Sequence, residues 1–189
     1  MIPAVIIAGG AARRMGGGDK TLLPLAGRTI LSHVLDRLAP QAAPLAINAN
    51  GDPARFAGFG LPVLPDTVPD RPGPLAGVLA ALEWAETLGA PLVLTVSGDS
   101  PVFPADLSTR LAQAGPAAFA VDDEGSHPIF ALWNSASRAE LQAWLGAGNR
   151  RVMGFADAAR LAQVHFAGRA FLNINTPQDL ADAETLLRG

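Results

Sequence analysis

Short apolar runs alternate along this chain with stretches whose apolar residues recur every three or four positions. The runs Ala4 to Ala8, Leu45 to Ala49, Pro62 to Leu64, Leu92 to Ser97 and Ala117 to Val121 predict strands. Between them, Ile30, Leu31, Val34, Leu35 and Leu38 fall on one helical face, and Leu75, Val78, Leu79 and Leu82 on another. Strands alternating with helices predict an α/β fold: three layers, with a mostly parallel, Rossmann-like sheet between helices. The first run ends in glycines and the fourth in Gly98-Asp99. Ligands of open α/β sheets bind outside the carboxyl ends of the strands, so both ends should meet in one crevice.

The last third continues with Pro128 to Trp133 as a strand and a helix carrying Leu141, Trp144 and Leu145 on one side, with Ser137 and Glu140 spaced for a capping box. Val164 to Phe166 and Phe171 to Ile174 read as further strands, and Thr176 caps a terminal helix with Pro177 at its first position. No repeat or linker divides the chain. The expectation is one domain over residues 1–189, with a nucleotide half to about residue 100 and a second-substrate half beyond it.

Composition narrows the function classes. At 189 residues the chain can bury a sizeable core, and only 16% of it is charged, which excludes intrinsic disorder. A net charge of −3 argues against nucleic-acid or membrane-surface partners, which need a basic face. Ala4 to Ala8 is too short to span a bilayer, and no leader is read at the start. With no cysteine, disulfides and thiol chemistry are excluded, and a cytoplasmic setting is expected.

Of the fourteen basic residues only Lys20 is lysine. It ends a loop running through Ile7, Ala8, Gly9, Gly10, Arg13, Arg14, Gly16, Gly17, Gly18 and Asp19. A compact ammonium beside glycines suits a phosphate chain better than a planar guanidinium does. The loop is neither a Walker A motif, since Asp19 precedes the lysine, nor a G-x-G-x-x-G fingerprint. Taken alone it either cradles phosphate or is a solvated turn. Asp99, at a strand tip, is either a Mg²⁺ ligand shared with substrate phosphates or a turn residue. Asn48 and Asn50 could donate to a base or ribose, or start a turn. Asp66 and Asp70 lie in a proline-stiffened loop. Asn173 and Asn175, two apart on a predicted strand, point the same way and could grip a polar ring. His33, His127 and His165 form no cluster and read as structural.

Together these segments resemble the molybdenum cofactor guanylyltransferases of the nucleotidyltransferase superfamily. The matching residues are Ala8-Gly9-Gly10, Arg13-Arg14-Met15-Gly16-Gly17, Asp19-Lys20, Asn48-Ala49-Asn50, Gly73-Pro74-Leu75-Ala76-Gly77, Gly98-Asp99-Ser100-Pro101, His127-Pro128, Arg150-Arg151-Val152-Met153 and Asn173-Ile174-Asn175-Thr176-Pro177. The resemblance implies transfer of GMP from GTP to molybdenum-molybdopterin with release of pyrophosphate. It implies Ile7, Ala8, Gly9 and Gly10 along the nucleotide, Arg14 and Lys20 at its phosphates, Asn48 and Asp66 near the guanosine, and Asp99 on Mg²⁺. Asn173 and Asn175 would face the pterin, with Arg150 and Arg151 at its phosphate; other cofactor biosynthesis or delivery proteins are implied partners. Ser100 is left without a role. A cytidylyltransferase of the same fold, a sugar-1-phosphate nucleotidyltransferase and a non-catalytic nucleotide-binding partner are the competing readings. Ala8-Gly9-Gly10 favours guanine, the N-x-N-T-P ending argues against the sugar enzymes, and Lys20 with Asp99 argues for catalysis.

Overall fold

The computed structural model describes residues 1–9, 19–68 and 73–188. Gly10, Arg13, Arg14, Asp70 and the three glycines at 16–18 therefore lie outside the described residues. The chain opens with strand β1 (Ala4–Ile7); after a 3-10 turn at Lys20–Leu22 comes a small hairpin, β2 (Pro24–Leu25) and β3 (Arg28–Thr29). Then follow α1 (Ile30–Leu38), β4 (Leu45–Asn48), a 3-10 helix at Pro53–Phe59, β5 (Val63–Leu64) and α2 (Pro74–Thr87). The rest is β6 (Leu92–Ser97), α3 (Leu107–Ala114), β7 (Ala118–Asp122), β8 (Gly125–Asn134), α4 (Arg138–Gly146), α5 (Val152–Ala158), β9 (Ala162–His165) and α6 (Pro177–Arg188).

One seven-stranded sheet runs through the chain in the order β5-β4-β1-β6-β8-β7-β9. β8 runs against its neighbours β6 and β7, and the other strand pairs of the sheet are parallel. The three-layer expectation follows from how the strands are buried. Along β1, Ala4 and Ile6 join a core with Leu31, Val34 and Leu111, on the side of α1, α3 and α6. Val5 and Ile7 join the other core, with Leu75, Val78, Leu141 and Phe155, on the side of α2, α4 and α5. Along β1, β4 and β6 both faces of the sheet are dry, which is why these strands read as apolar runs and not as alternation. From β1 the chain first builds outward through β4 and β5, then returns to β1's other side with β6. That reversal opens a crevice at the carboxyl ends of β1, β4 and β6.

Two expectations change. Phe171 to Ile174 is extended, but among the described residues it makes only an isolated bridge, Leu172 to Val102, and joins no strand. The capping box at Ser137 does not form either: Ser137 is itself in the α conformation with no side-chain cap bond. Asn134 caps a 3-10 turn at Ser135–Ser137 instead, and that turn leads into α4. The cap on α6 does form. Thr176 Oγ1 accepts from Asp179 N (3.2 Å), and Asp179 Oδ2 accepts from the N–H groups of Asn175 and Thr176 (2.8 Å each).

Asp122, at the end of β7, ties the last third together. It is buried, and its Oδ1 accepts from the N–H groups of Glu124 and Gly125 while Oδ2 accepts from those of Ala170 and Phe171. Burial alone would push its carboxyl up. The His127 imidazole, 2.9 Å away, and the backbone N–H groups outweigh that and hold it below its usual value. A depressed folded pKa stabilises the fold above the unfolded value of about 4, and this contribution is lost as pH falls through the folded value. Asp122→Asn should therefore lower the urea midpoint at pH 7, and the gap to the parent protein should close as pH falls below about 4.

Candidate active site

Three strand ends meet where β1 stops. Ile7 O accepts from Gly98 N (2.9 Å) and Ala8 N donates to Asn48 O (2.9 Å), so the tips of β6 and β4 are bonded to the end of β1. Gly98 has to be small here, because a Cβ would lie 2.9 Å from Thr21 Cγ2 and 3.1 Å from Ile7 O. This close approach delivers Asp99 beside Lys20. Lys20 Nζ donates to Asp99 Oδ2 (2.6 Å) and to Asn175 Oδ1 (2.7 Å). The other oxygen, Asp99 Oδ1, accepts from Ser97 Oγ (2.7 Å) and faces Ser100 Oγ (3.3 Å). The Lys20 and Asp99 side chains are only 13% and 25% exposed, so their attraction is screened less than that of a surface pair.

Asn173 and Asn175 join the same cluster from the far end of the chain. Ile174 N donates to Asp99 O (2.9 Å) and Leu172 N to Val102 O (3.1 Å), so residues 172–174 run alongside 99–102. Leu172 and Ile174 turn into the core while Asn173 and Asn175 stay exposed, which keeps both amides on one side. Asn173 Oδ1 contacts Ser100 Oγ.

A second group sits across the cleft. Asn48 Nδ2 gives one hydrogen to Leu64 O (3.0 Å) and the other to Asp66 Oδ1 (2.9 Å), while Asn50 Nδ2 donates to Asp66 Oδ2 (2.6 Å). The Asn48 donors are thus spent on Leu64 and Asp66, and its Oδ1 is left over. That oxygen lies against Gly77 of α2, where a Cβ would come within 2.3 Å of it. Gly77→Ala should displace the Asn48 amide and with it Asp66; we expect nucleotide affinity to fall about tenfold or more, read by equilibrium dialysis, with the fold retained. A cleft of about 120 Å³ between Asn48, Asp66, Gly9 and Pro74 adjoins one of about 130 Å³ between Gly9, Lys20, Ser97 and Asp99. Ile7, Gly9 and Pro74 line both, so the two form a single groove past the end of β1.

Arg150 and Arg151 stand elsewhere. Arg150 Nη1 donates to Leu145 O (2.7 Å) and Asn149 O (2.9 Å) at the carboxyl end of α4, where a cation suits the last carbonyls. Arg151 is the exposed residue just before α5. Neither hydrogen-bonds to the Lys20–Asp99 cluster among the described residues. Two contributors escape a reading of the sequence. Ser97 gives no motif signal, since it ends an apolar strand. Arg55 pairs with Asp19 (2.5 Å) and donates to Asn50 O, linking the loop beside Asp66 to the residue before Lys20. Its only sequence signal is a charge in a short loop.

Comparison with known proteins identifies the family. The model of the MobA-like NTP transferase domain matches residues 4–164. A molybdenum cofactor guanylyltransferase of Cereibacter sphaeroides is 53% identical over 187 residues, covering 97% of this chain and 96% of that protein. One from Rhodopseudomonas palustris is 48% identical over 195 residues, covering 97% and 93%. Among solved structures, molybdopterin-guanine dinucleotide biosynthesis protein A from Archaeoglobus fulgidus superposes with a TM-score of 0.75 at 23% identity over 99% of both chains, a likeness of fold.

Proposed function

Since the chain belongs to the MobA-like NTP transferase family, we propose that it transfers GMP from GTP to the phosphate of molybdenum-molybdopterin, giving the guanine dinucleotide cofactor and pyrophosphate. It is a nucleotidyltransferase. The observation that carries the substrate assignment is the position of Lys20 Nζ. One ammonium touches both Asp99, at the tip of β6 and assigned to the nucleotide, and Asn175, from the segment assigned to the pterin.

In this reading Ile7, Ala8, Gly9 and Gly10 run along the nucleotide, with Asp66 and Asn48 Oδ1 as acceptors for guanosine N–H and O–H groups. Asp99 would hold Mg²⁺. Among the described residues no group of three or more His, Cys, Asp or Glu gathers. A lone carboxylate fits an ion that draws its remaining ligands from triphosphate and water. Mg²⁺, when bound, supplies neutralisation of the triphosphate. Lys20 and Arg14 do the rest of that work, with the ammonium exchanging Asp99 for phosphate oxygens. An oxygen of the molybdopterin phosphate bonds to the α-phosphorus as the bond to the bridging oxygen breaks, and the electron pair leaves with pyrophosphate. The nucleophile is already ionised, so alignment and charge neutralisation carry the step and no base is required.

Asn173 and Asn175 face the pterin, and Arg150 and Arg151 are assigned to its phosphate, Arg150 at the cost of its contacts at the end of α4. The two halves of the domain then serve one substrate each, in the cytoplasm, where the product passes to other cofactor biosynthesis or delivery proteins. No helix among the described residues is long and apolar enough to cross a membrane.

Thermal stabilisation by each Mg-nucleotide tests the nucleotide half. At about a hundred times its Kd, Mg-GTP should add about 2.7 kcal/mol, which for a chain of this size is a rise of about 5–10 °C in Tm. Equal shifts with Mg-GTP, Mg-CTP, Mg-ATP and Mg-UTP would remove the guanine assignment.

A further inference from the structure

We propose that Ser100 is a positioning residue for the second substrate, setting the amide of Asn173 through a hydrogen bond shared with Asp99. The inference rests on the reading of Asn173 as a pterin contact. Ser100 has no exposed surface, so its hydroxyl serves only its neighbours. Those are Asp99 Oδ1 at 3.3 Å and the side-chain amide of Asn173. The backbone bonds Ile174 N to Asp99 O and Leu172 N to Val102 O hold Asn173 opposite Ser100, so the contact is built in on both sides.

The hydroxyl has one hydrogen and two candidate acceptors, Asp99 Oδ1 and Asn173 Oδ1. Asn173 Oδ1 is the nearer of the two, and 3.3 Å is long for a hydroxyl–carboxylate bond, so the hydrogen goes to Asn173 and Asp99 Oδ1 is the secondary acceptor. The Asn173 amide is thereby fixed with its oxygen on Ser100 and its NH₂ group left as a donor. Asn175 is set the same way, because its Oδ1 is held by Lys20 at 2.7 Å and its NH₂ group is left as the donor. Each oxygen of Asp99 is therefore linked by one side chain to one asparagine. Together the asparagines offer two donors side by side. That pair matches a ring edge that presents two acceptors, as where a C=O adjoins an unprotonated ring nitrogen.

The test is a double-mutant cycle in steady-state kinetics with molybdenum-molybdopterin and GTP. Ser100→Ala should raise the KM for molybdenum-molybdopterin about fivefold or more. The KM for GTP and kcat should stay within about twofold, because Ser97 still donates to Asp99 Oδ1. Asn173→Ala should raise the same KM at least as much, and the double variant should be no worse than Asn173→Ala alone, since one change acts through the other. Ser100→Cys, which keeps the bulk and weakens the hydrogen bond, should match Ser100→Ala in KM at parental Tm, and it carries the test if the alanine variant does not fold. Additive costs in the cycle, or a fall in kcat with the pterin KM unchanged, would overturn the proposal and leave Ser100 acting on Asp99 alone. An Asn173→Ala variant with parental pterin KM would overturn the assignment of Asn173 itself, and this inference with it.

Discussion

Asp99→Asn should lower the turnover of GTP and molybdenum-molybdopterin by a factor of about a hundred to a thousand, while Mg-GTP still binds within about tenfold of the parent. The amide has nearly the size of the carboxylate, so the strand tip and the bond from Ser97 Oγ should survive. What is lost is the charge. A neutral oxygen is a much poorer ligand for a hard divalent cation that relies on few protein carboxylates. Removing one preorganised electrostatic group at a reacting centre typically costs about 10²–10³ in rate. Raising Mg²⁺ should recover part of the loss, since mass action then replaces affinity. The same change also removes the anion that Lys20 faces in the free protein, at 2.6 Å. Lys20 should then be freer to meet the triphosphate, which is why binding suffers less than turnover. Single-turnover rates at low and high Mg²⁺ separate these effects. Parental turnover at low Mg²⁺ would make Asp99 a turn residue and move the search for the metal ligand to Asp66 and Asp70.

Lys20→Ala should cost a similar factor in rate and little stability. The side chain lines the open cleft beside Asp99, so its removal leaves no closed apolar cavity. It does leave Asp99 without its cation and Asn175 without its donor, so the variant should also show a raised KM for molybdenum-molybdopterin. Lys20→Arg should recover only part of the activity. The ammonium reaches two acceptors at 2.6 and 2.7 Å from a site that is 13% exposed, and a planar fork has a different shape and reach. Steady-state kinetics on both variants, with Tm as the control for folding, decides the point. A fully active Lys20→Arg protein would mean that any cation serves at this position.

Much of this architecture is legible in the chain because the central strands β1, β4 and β6 are buried on both faces. Leu92–Ser97 is read residue for residue, and α1 begins and ends where its apolar stripe does. Legibility fails where local and tertiary causes compete. Phe171 to Ile174 has the composition of a strand, and its buried Leu172 and Ile174 alternate with exposed Asn173 and Asn175 as a strand would. Its hydrogen bonds go to the loop at 99–102, and so it joins no sheet. That same misassigned segment supplies the two amides at the site, and their shared direction survives because extended backbone alternates whether or not it is paired.

At the site, Lys20 and Asp99 stand out in the sequence through the glycines around them, whereas their meeting with Asn175, 155 residues from Lys20, depends on the packing of the chain's two ends. The roles of Ser97 and Ser100 are hidden in the sequence for a different reason. A small hydroxyl residue at a strand end has no pattern of its own, and its role lies in what the fold sets beside it. Asn48 shows the converse case, since its donors face Leu64 and Asp66 and only its oxygen is left for a ligand. The turn-or-ligand choice for that residue could not be made without knowing where β5 ends.

The most direct test of the central claim is pyrophosphate release by the purified protein with each of the four Mg-nucleotides, in the presence and absence of molybdenum-molybdopterin. The account predicts release from Mg-GTP that needs molybdenum-molybdopterin and matches the dinucleotide formed one for one, with CTP, ATP and UTP at least tenfold slower. Equal rates with all four nucleotides, preference for CTP, or release that ignores the pterin would contradict it.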